Sequence, residues 1–147
     1  GAGSASGAGS TTGGGAATGT ASGEAVTMIG LVNQARSQSG LKALTQDSQL
    51  TSIAGLKSAD MVKNNYFSHN SPTYGSPFDM MKKYGISYLY AGENLAMNQN
   101  VQSAENALMN SPDHKANILN PSFTGIGVGV GQKSDGSKIY VQMFIGR

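Results

Sequence analysis

The run Gly125-Ile126-Gly127-Val128-Gly129-Val130-Gly131 decides how this chain folds. Every second residue is glycine and the residues between are β-branched, which is the period of a strand and not of a helix. The run matches neither the Gly-x-Gly-x-x-Gly dinucleotide fingerprint nor a phosphate-binding P-loop. A strand so composed has one apolar face and one face free of side chains. The bare face suits close packing by a helix or another backbone, or the floor of a cleft.

Outward from this run, residues 123–130 and 138–145 both alternate, and Ser134-Asp135-Gly136 supplies a turn, so the two segments form a β-hairpin. Upstream the period is helical. From Glu24, residues Met28, Leu31, Val32 and Ala35 fall on one stripe that ends at Gly40. A second helix starts at Asp47 as N-cap, with Leu50, Ile53, Ala54, Lys57 and Met61 along one face, the stem of Lys57 covering its edge. Residues 66–75 have no period and form a loop carrying His69. Ser76-Pro77 opens a short helix that Gly85 closes. Residues 86–96 are extended and contain Glu93; residues 101–110 form a helix with Ala104, Ala107 and Leu108 inward. Ser111-Pro112 breaks it, and residues 113–119 hold one or two further turns. Helices around a small antiparallel sheet give an α+β layered fold.

The chain has 147 residues, enough for one domain. Residues 1–23 contain only Gly, Ala, Ser and Thr and cannot offset the entropy of ordering, so they read as a flexible linker, leaving residues 24–147 as the domain. The net charge of +2 comes from ten scattered Lys and Arg against eight acids, which is no footprint for nucleic acid. Without cysteine, disulfides, thiolate zinc sites and thiol nucleophiles are excluded, and the composition is compatible with export. No stretch is long and apolar enough to cross a membrane, and no signal peptide is recognisable. A monomer is expected.

Two histidines are available, and neither lies in a local metal-binding motif. His69, in a Ser/Asn/Pro loop, reads alone as a turn or capping residue. Glu93 stands in the small and apolar run Ala91-Gly92-Glu93-Asn94-Leu95-Ala96, where burial requires a hydrogen-bond partner or a cation; the alternative is a glutamate pointing off an edge strand. His114 opens a helix that Ser111 can cap, with Asp113 near the dipole, and alone it reads equally as a surface residue. No Gly-x-Ser-x-Gly elbow is present, and Ser68, Ser71 and Ser111 each have a turn or capping role.

The order of four strings adds to this reading. Asn65-Tyr66-Phe67-Ser68-His69-Asn70-Ser71-Pro72, Ala91-Gly92-Glu93-Asn94-Leu95-Ala96, Asn110-Ser111-Pro112-Asp113-His114-Lys115-Ala116-Asn117-Ile118-Leu119 and Ile126-Gly127-Val128-Gly129 together resemble the bacterial branch of the CAP superfamily (cysteine-rich secretory, antigen 5, pathogenesis-related 1; SCP-like). The resemblance implies a three-layer α-β-α sandwich, usually extracellular, with a cleft lined by two histidines and two acids that holds a divalent metal, often zinc. By position, His69 and His114 look like the cleft histidines and metal ligands, and Glu93 like the acid of the Gly-Glu-Asn motif. The second acid falls at Asn110-Ser111, where this chain has no carboxylate, and the aromatic residue preceding it is Leu108. Two nitrogens and one acid predict weak zinc binding in competition with protons.

The expectation is a secreted, non-enzymatic binding module, associated with the cell envelope. Its cleft of His69, Glu93, His114 and Ser111 takes a small ligand or peptide, such as a cell-wall or lipid component, with a loosely held metal. One alternative is a weak metal- or Glu/His-dependent hydrolase using His69, Glu93 and His114; another is a structural or adhesive domain.

Overall fold

The computed structural model describes residues 22–147. Its elements run α1 (Gly23–Gln38), β1 (Thr45–Gln46), α2 (Ser48–Asn64), α3 (Pro77–Lys83), β2 (Tyr90–Asn98), α4 (Val101–Met109), α5 (Pro112–Ile118), β3 (Gly125–Gln132) and β4 (Lys138–Gly146). The strands form one sheet in the order β1-β3-β4-β2. The ladders of β3 and β2 with β4 are antiparallel, as expected, while β1 adds a short parallel pairing to β3 that the sequence did not announce.

The glycine run is β3, and a helix covers its bare face. A Cβ on Gly127 would meet the Leu50–Thr51 peptide, one on Gly129 the Ala54–Gly55 peptide, and one on Gly131 the Ser58 carbonyl, each closer than real side chains approach. The missing side chains therefore bring the α2 backbone against the sheet. Leu50, Ile53, Ala54 and Met61 of α2 join Met80 and Met81 of α3 in a core with Leu95, Ile139, Val141, Met143 and Ile145. The opposite face presents Ile126, Val128, Tyr140 and Phe144 to Met28 and Val32 of α1, Ala104 and Leu108 of α4 and Ile118 of α5. The sheet is thus the middle of three layers.

Helix starts follow their capping residues. Ser22 accepts the Ala25 N–H and Asp47 the Leu50 N–H, while Ser76 and Asp79 exchange side-chain and backbone bonds in a capping box. Residues 1–21 of the expected linker lie outside the described residues; its last residue, Gly23, is the first of α1.

Three helix faces differ from the apolar patterns. The buried stripe of α1 is Ala25, Met28, Ile29, Val32 and Arg36, with Leu31 and Ala35 only half-buried. Arg36 is buried because its guanidinium finds carbonyl acceptors on Lys42 at 2.8 Å, Ile118 and Asn120 at 2.9 Å and Phe123 at 3.5 Å, tying α1 to the α5–β3 connection. Lys57 is 1% exposed instead of skirting the edge of α2. On α4, Glu105 points inward and Ala107 outward, since residues 101, 104, 105 and 108 share the face on the sheet.

Candidate functional site

The strand β2 alternates, so Gly92-Glu93-Asn94 serves both faces of the sheet. Glu93 is registered with Met143, on the α2 side, and Asn94 with Gln142, on the α4 and α5 side. Gly92 shares the Asn94 face, where a Cβ would stand 3.1 Å from the Phe123 ring and 3.2 Å from the Asn117 amide oxygen. The glycine leaves room for α5 to approach.

On the α2 side, Glu93 is 6% exposed, so it does not point off the edge of the sheet. Its Oε1 lies 2.8 Å from Nδ1 of His69 and 3.7 Å from Nζ of Lys57, while its Oε2 is buried with no hydrogen-bond partner among the described residues. The Lys57 ammonium also donates to the His69 carbonyl, so one buried cation holds both the acid and the histidine loop. Burial pushes the Glu93 carboxyl above the ordinary glutamate value, with Lys57 and His69 pulling the other way. Burial likewise lowers Lys57, and Glu93 opposes it. The His69 side chain is 55% exposed; with Nδ1 on Glu93, its Nε2 is the nitrogen left for a ligand.

One turn along α2, Asp60 fixes the loop from both ends. It accepts from Tyr66 at 2.5 Å, Ser71 at 2.6 Å, Thr73 at 2.7 Å and Asn64 at 2.7 Å. Burial works to raise its carboxyl, but these donors outweigh it and hold the group below the ordinary aspartate value. Burial and the neighbouring Asp60 push the Tyr66 hydroxyl up to about 12.

On the other side, His114 is held through its backbone. Asn94 Nδ2 donates to the His114 carbonyl at 3.0 Å and to Gln142 Oε1 at 3.0 Å, and Asn117 Nδ2 donates to Asn94 Oδ1 at 2.9 Å. Ser111 is the N-cap residue of α5 but makes no capping bond; its Oγ lies 2.9 Å from Nδ1 of His114 instead. Asp113 occupies the first turn as expected.

Of the expected residues, then, His69 and Glu93 are joined directly, Ser111 and His114 are joined to each other, and His114 makes no ion pair with Glu93. Lys57, Asp60, Asn94, Asn117, Glu105 and Gln142 complete the arrangement and were missed as site residues. Lys57 stands on the apolar stripe of α2, an ambiguous signal for a lysine, whereas Glu105 takes the inward position of α4 that the apolar pattern gives to Ala107. A zinc site takes three or four protein ligands. Among the described residues no three His, Asp or Glu side chains are grouped to share an ion, so the donors do not fit such a site.

The model of the CAP family, described as the cysteine-rich secretory protein family, matches residues 29–144. The chain is 50% identical over 121 residues to protein YkwD of Bacillus subtilis (strain 168), covering 82% of this chain and 46% of that protein. It is 37% identical to the membrane protein YlbC of the same organism, of which it covers 34%. The chain thus spans less than half the length of these relatives. Among solved structures, an extracellular protein containing an SCP domain from Bacillus anthracis str. Ames aligns with a TM-score of 0.79 and 38% identity, over 85% of this chain and 41% of that one. An outer surface protein of Borrelia burgdorferi shares the fold, with a TM-score of 0.77 at 24% identity over 83% of this chain and 91% of its own. No helix among the described residues is long and apolar enough to cross a membrane. The three-layer sandwich, the four ordered strings and a family match across most of the sequence converge: this cysteine-free chain belongs to the CAP family.

Proposed function

We propose that the domain is a non-enzymatic extracellular binding module whose cleft, beside β2, takes a small polar ligand or peptide of the cell envelope. The observation that carries this reading is the separation of the groups that a serine relay needs together. A nucleophile–histidine–acid relay requires one histidine to touch both hydroxyl and carboxylate. Here the histidine with the acid, His69, has no serine hydroxyl on its ring: Ser71 donates to Asp60, and Ser68 accepts from the Asn70 N–H instead of bonding to the imidazole. The histidine with the serine, His114, has no acid. Two half-sites of this kind suit recognition, one offering an exposed imidazole and the other a hydroxyl and an imidazole. The extracellular placement is supported by the relatives on the outside of the cell.

Each half-site offers one histidine and no grouped third donor, so a divalent ion there would be held weakly. The test is a titration of the full chain with Zn²⁺ alone, and separately with a soluble cell-wall muropeptide, following the ring signals of both histidines by NMR. Shifts of His69 and His114 with muropeptide that are lost in Ser111→Ala and Glu93→Gln are expected. Unchanged rings at millimolar muropeptide overturn the binding reading, and unchanged rings at millimolar Zn²⁺ remove the metal.

A second reading has one observation behind it: the His69–Glu93 pair at 2.8 Å is the geometry of a general base that activates water. It requires turnover on a peptide or ester panel that His69→Ala abolishes. Absence of turnover leaves the binding module.

A further inference from the structure

Lys57 is a cation sealed into the α2 side of the fold. Its side chain is 1% exposed, as is that of Glu93, and its Nζ lies 3.7 Å from Glu93 Oε1. The same ammonium donates to the His69 carbonyl, and the His69 ring meets Glu93 Oε1 through Nδ1 at 2.8 Å. A carboxylate, a backbone carbonyl and an imidazole are the donors that gather around a metal ion. Here they are gathered around an ammonium. The fold sets this arrangement from both directions. The glycine face of β3 lets the Ala54–Gly55 peptide and the Ser58 carbonyl of α2 come down onto the sheet, so Lys57, between them, starts close to the strands. On β2, the register with Met143 turns Glu93 to that same side.

The Glu93 carboxylate is balanced without an added ion, because Lys57 sets one positive charge against its one negative charge. Asp60, the other acid whose charge reaches Lys57, has its oxygens taken by Tyr66, Ser71, Thr73 and Asn64. A divalent ion drawn to Glu93 would meet the ammonium at short range, where burial leaves the repulsion poorly screened. Even at Oε2, the oxygen without a hydrogen-bond partner, the ion would stand only a carboxylate's width beyond the pair. Nor would it find a group of three His, Asp or Glu side chains among the described residues.

We propose that Lys57 is a specificity-determining residue: its ammonium stands in the place of a metal ion in the His69–Glu93 half-site and keeps divalent ions off the Glu93 carboxylate. Removal of that charge opens the carboxylate and the imidazole to a divalent ion. The inference concerns this half-site alone and does not rest on what the cleft takes as ligand.

The test is a titration of the full chain with Zn²⁺ alone, in the wild type, Lys57→Met and Lys57→Gln, read by calorimetry and by the NMR signals of the His69 ring and the Glu93 carboxyl carbon. Both variants drop the charge; Lys57→Gln keeps a donor for the His69 carbonyl and serves if Lys57→Met does not fold. Either is expected to bind zinc roughly tenfold or more tightly than the wild type, as relief of a close charge repulsion requires. Both signals should move together, and the gain should vanish when Glu93→Gln is added. Equal affinity in the wild type and the variants overturns the proposal, as does a gain that survives Glu93→Gln. Micromolar zinc binding by the wild type that moves the Glu93 carboxyl carbon overturns it without any variant. A muropeptide that fails to bind while the variants gain zinc removes the cleft reading alone.

Discussion

Glu93 and Lys57 are each the condition for burying the other, and His69 depends on both. Removing one member of a buried pair leaves an uncompensated charge and costs about 3–5 kcal/mol. Lys57→Met should therefore destabilise the chain by about 3 kcal/mol in urea denaturation, and adding Glu93→Gln should recover part of the loss, a coupling that a double-mutant cycle reads directly. The pH dependence of stability has contributions of opposite sign, Glu93 and Glu105 on one side and Asp60 on the other. Glu105 rises from 4.5 to about 7 on folding, so its stabilisation is complete below the unfolded value and is lost as pH rises from there to neutrality. That shift corresponds to about 3 kcal/mol. Asp60, lowered on folding, contributes above its unfolded value and loses that contribution as pH falls. Urea midpoints should fall from pH 5 to pH 8 in the wild type and fall less steeply in Glu105→Gln, where the raised Glu93 still contributes. Several of these residues were legible in the sequence for a local reason: a carboxylate among small apolar neighbours must find a partner, and His69 is that partner. Lys57 was not, because a lysine at the margin of an apolar stripe is compatible with both a snorkelling stem and a buried ammonium, and only the position of Glu93 across the fold decides between them.

Elements are where the sequence spoke most plainly. The alternating glycines left two occupants open for the bare face of β3, a helix or a cleft, and α2 is the occupant because its small Ala54 and Gly55 lie over Gly129. Gly129→Ala should thus cost about 3 kcal/mol by thermal unfolding, at the upper end of overpacking effects. An alanine at Gly136, in open space but at φ +90°, should cost less. Asp60→Asn weakens the clamp on residues 66–73 and should speed proteolysis within that loop well before the core opens. What stayed hidden at this scale has physical causes. The strand β1 has too few residues to show a period, and the inward face of α4 contains Glu105, which an apolar pattern replaces with Ala107. Ser111 looked like a cap, yet His114 one turn later competes for its hydroxyl.

At the scale of the molecule, two apolar clusters share one sheet, so neither face is stable without the other. Leu108→Ala, in the α1 and α4 layer, should lower stability by about 2–5 kcal/mol, and its denaturation slope should match that of Gly129→Ala in the opposite layer, as a single cooperative unit requires. The layered architecture was legible from period and turn chemistry, whereas the division of Gly-Glu-Asn between faces needed the register. The order of the strands carries one more consequence. The strand to which both β2 and β3 pair is β4, the most C-terminal element of the domain. Without residues 138–146, β2 has no strand partner and β3 has only the two-residue β1. The sheet therefore cannot assemble from the earlier elements of the domain alone and closes only once its last strand is present.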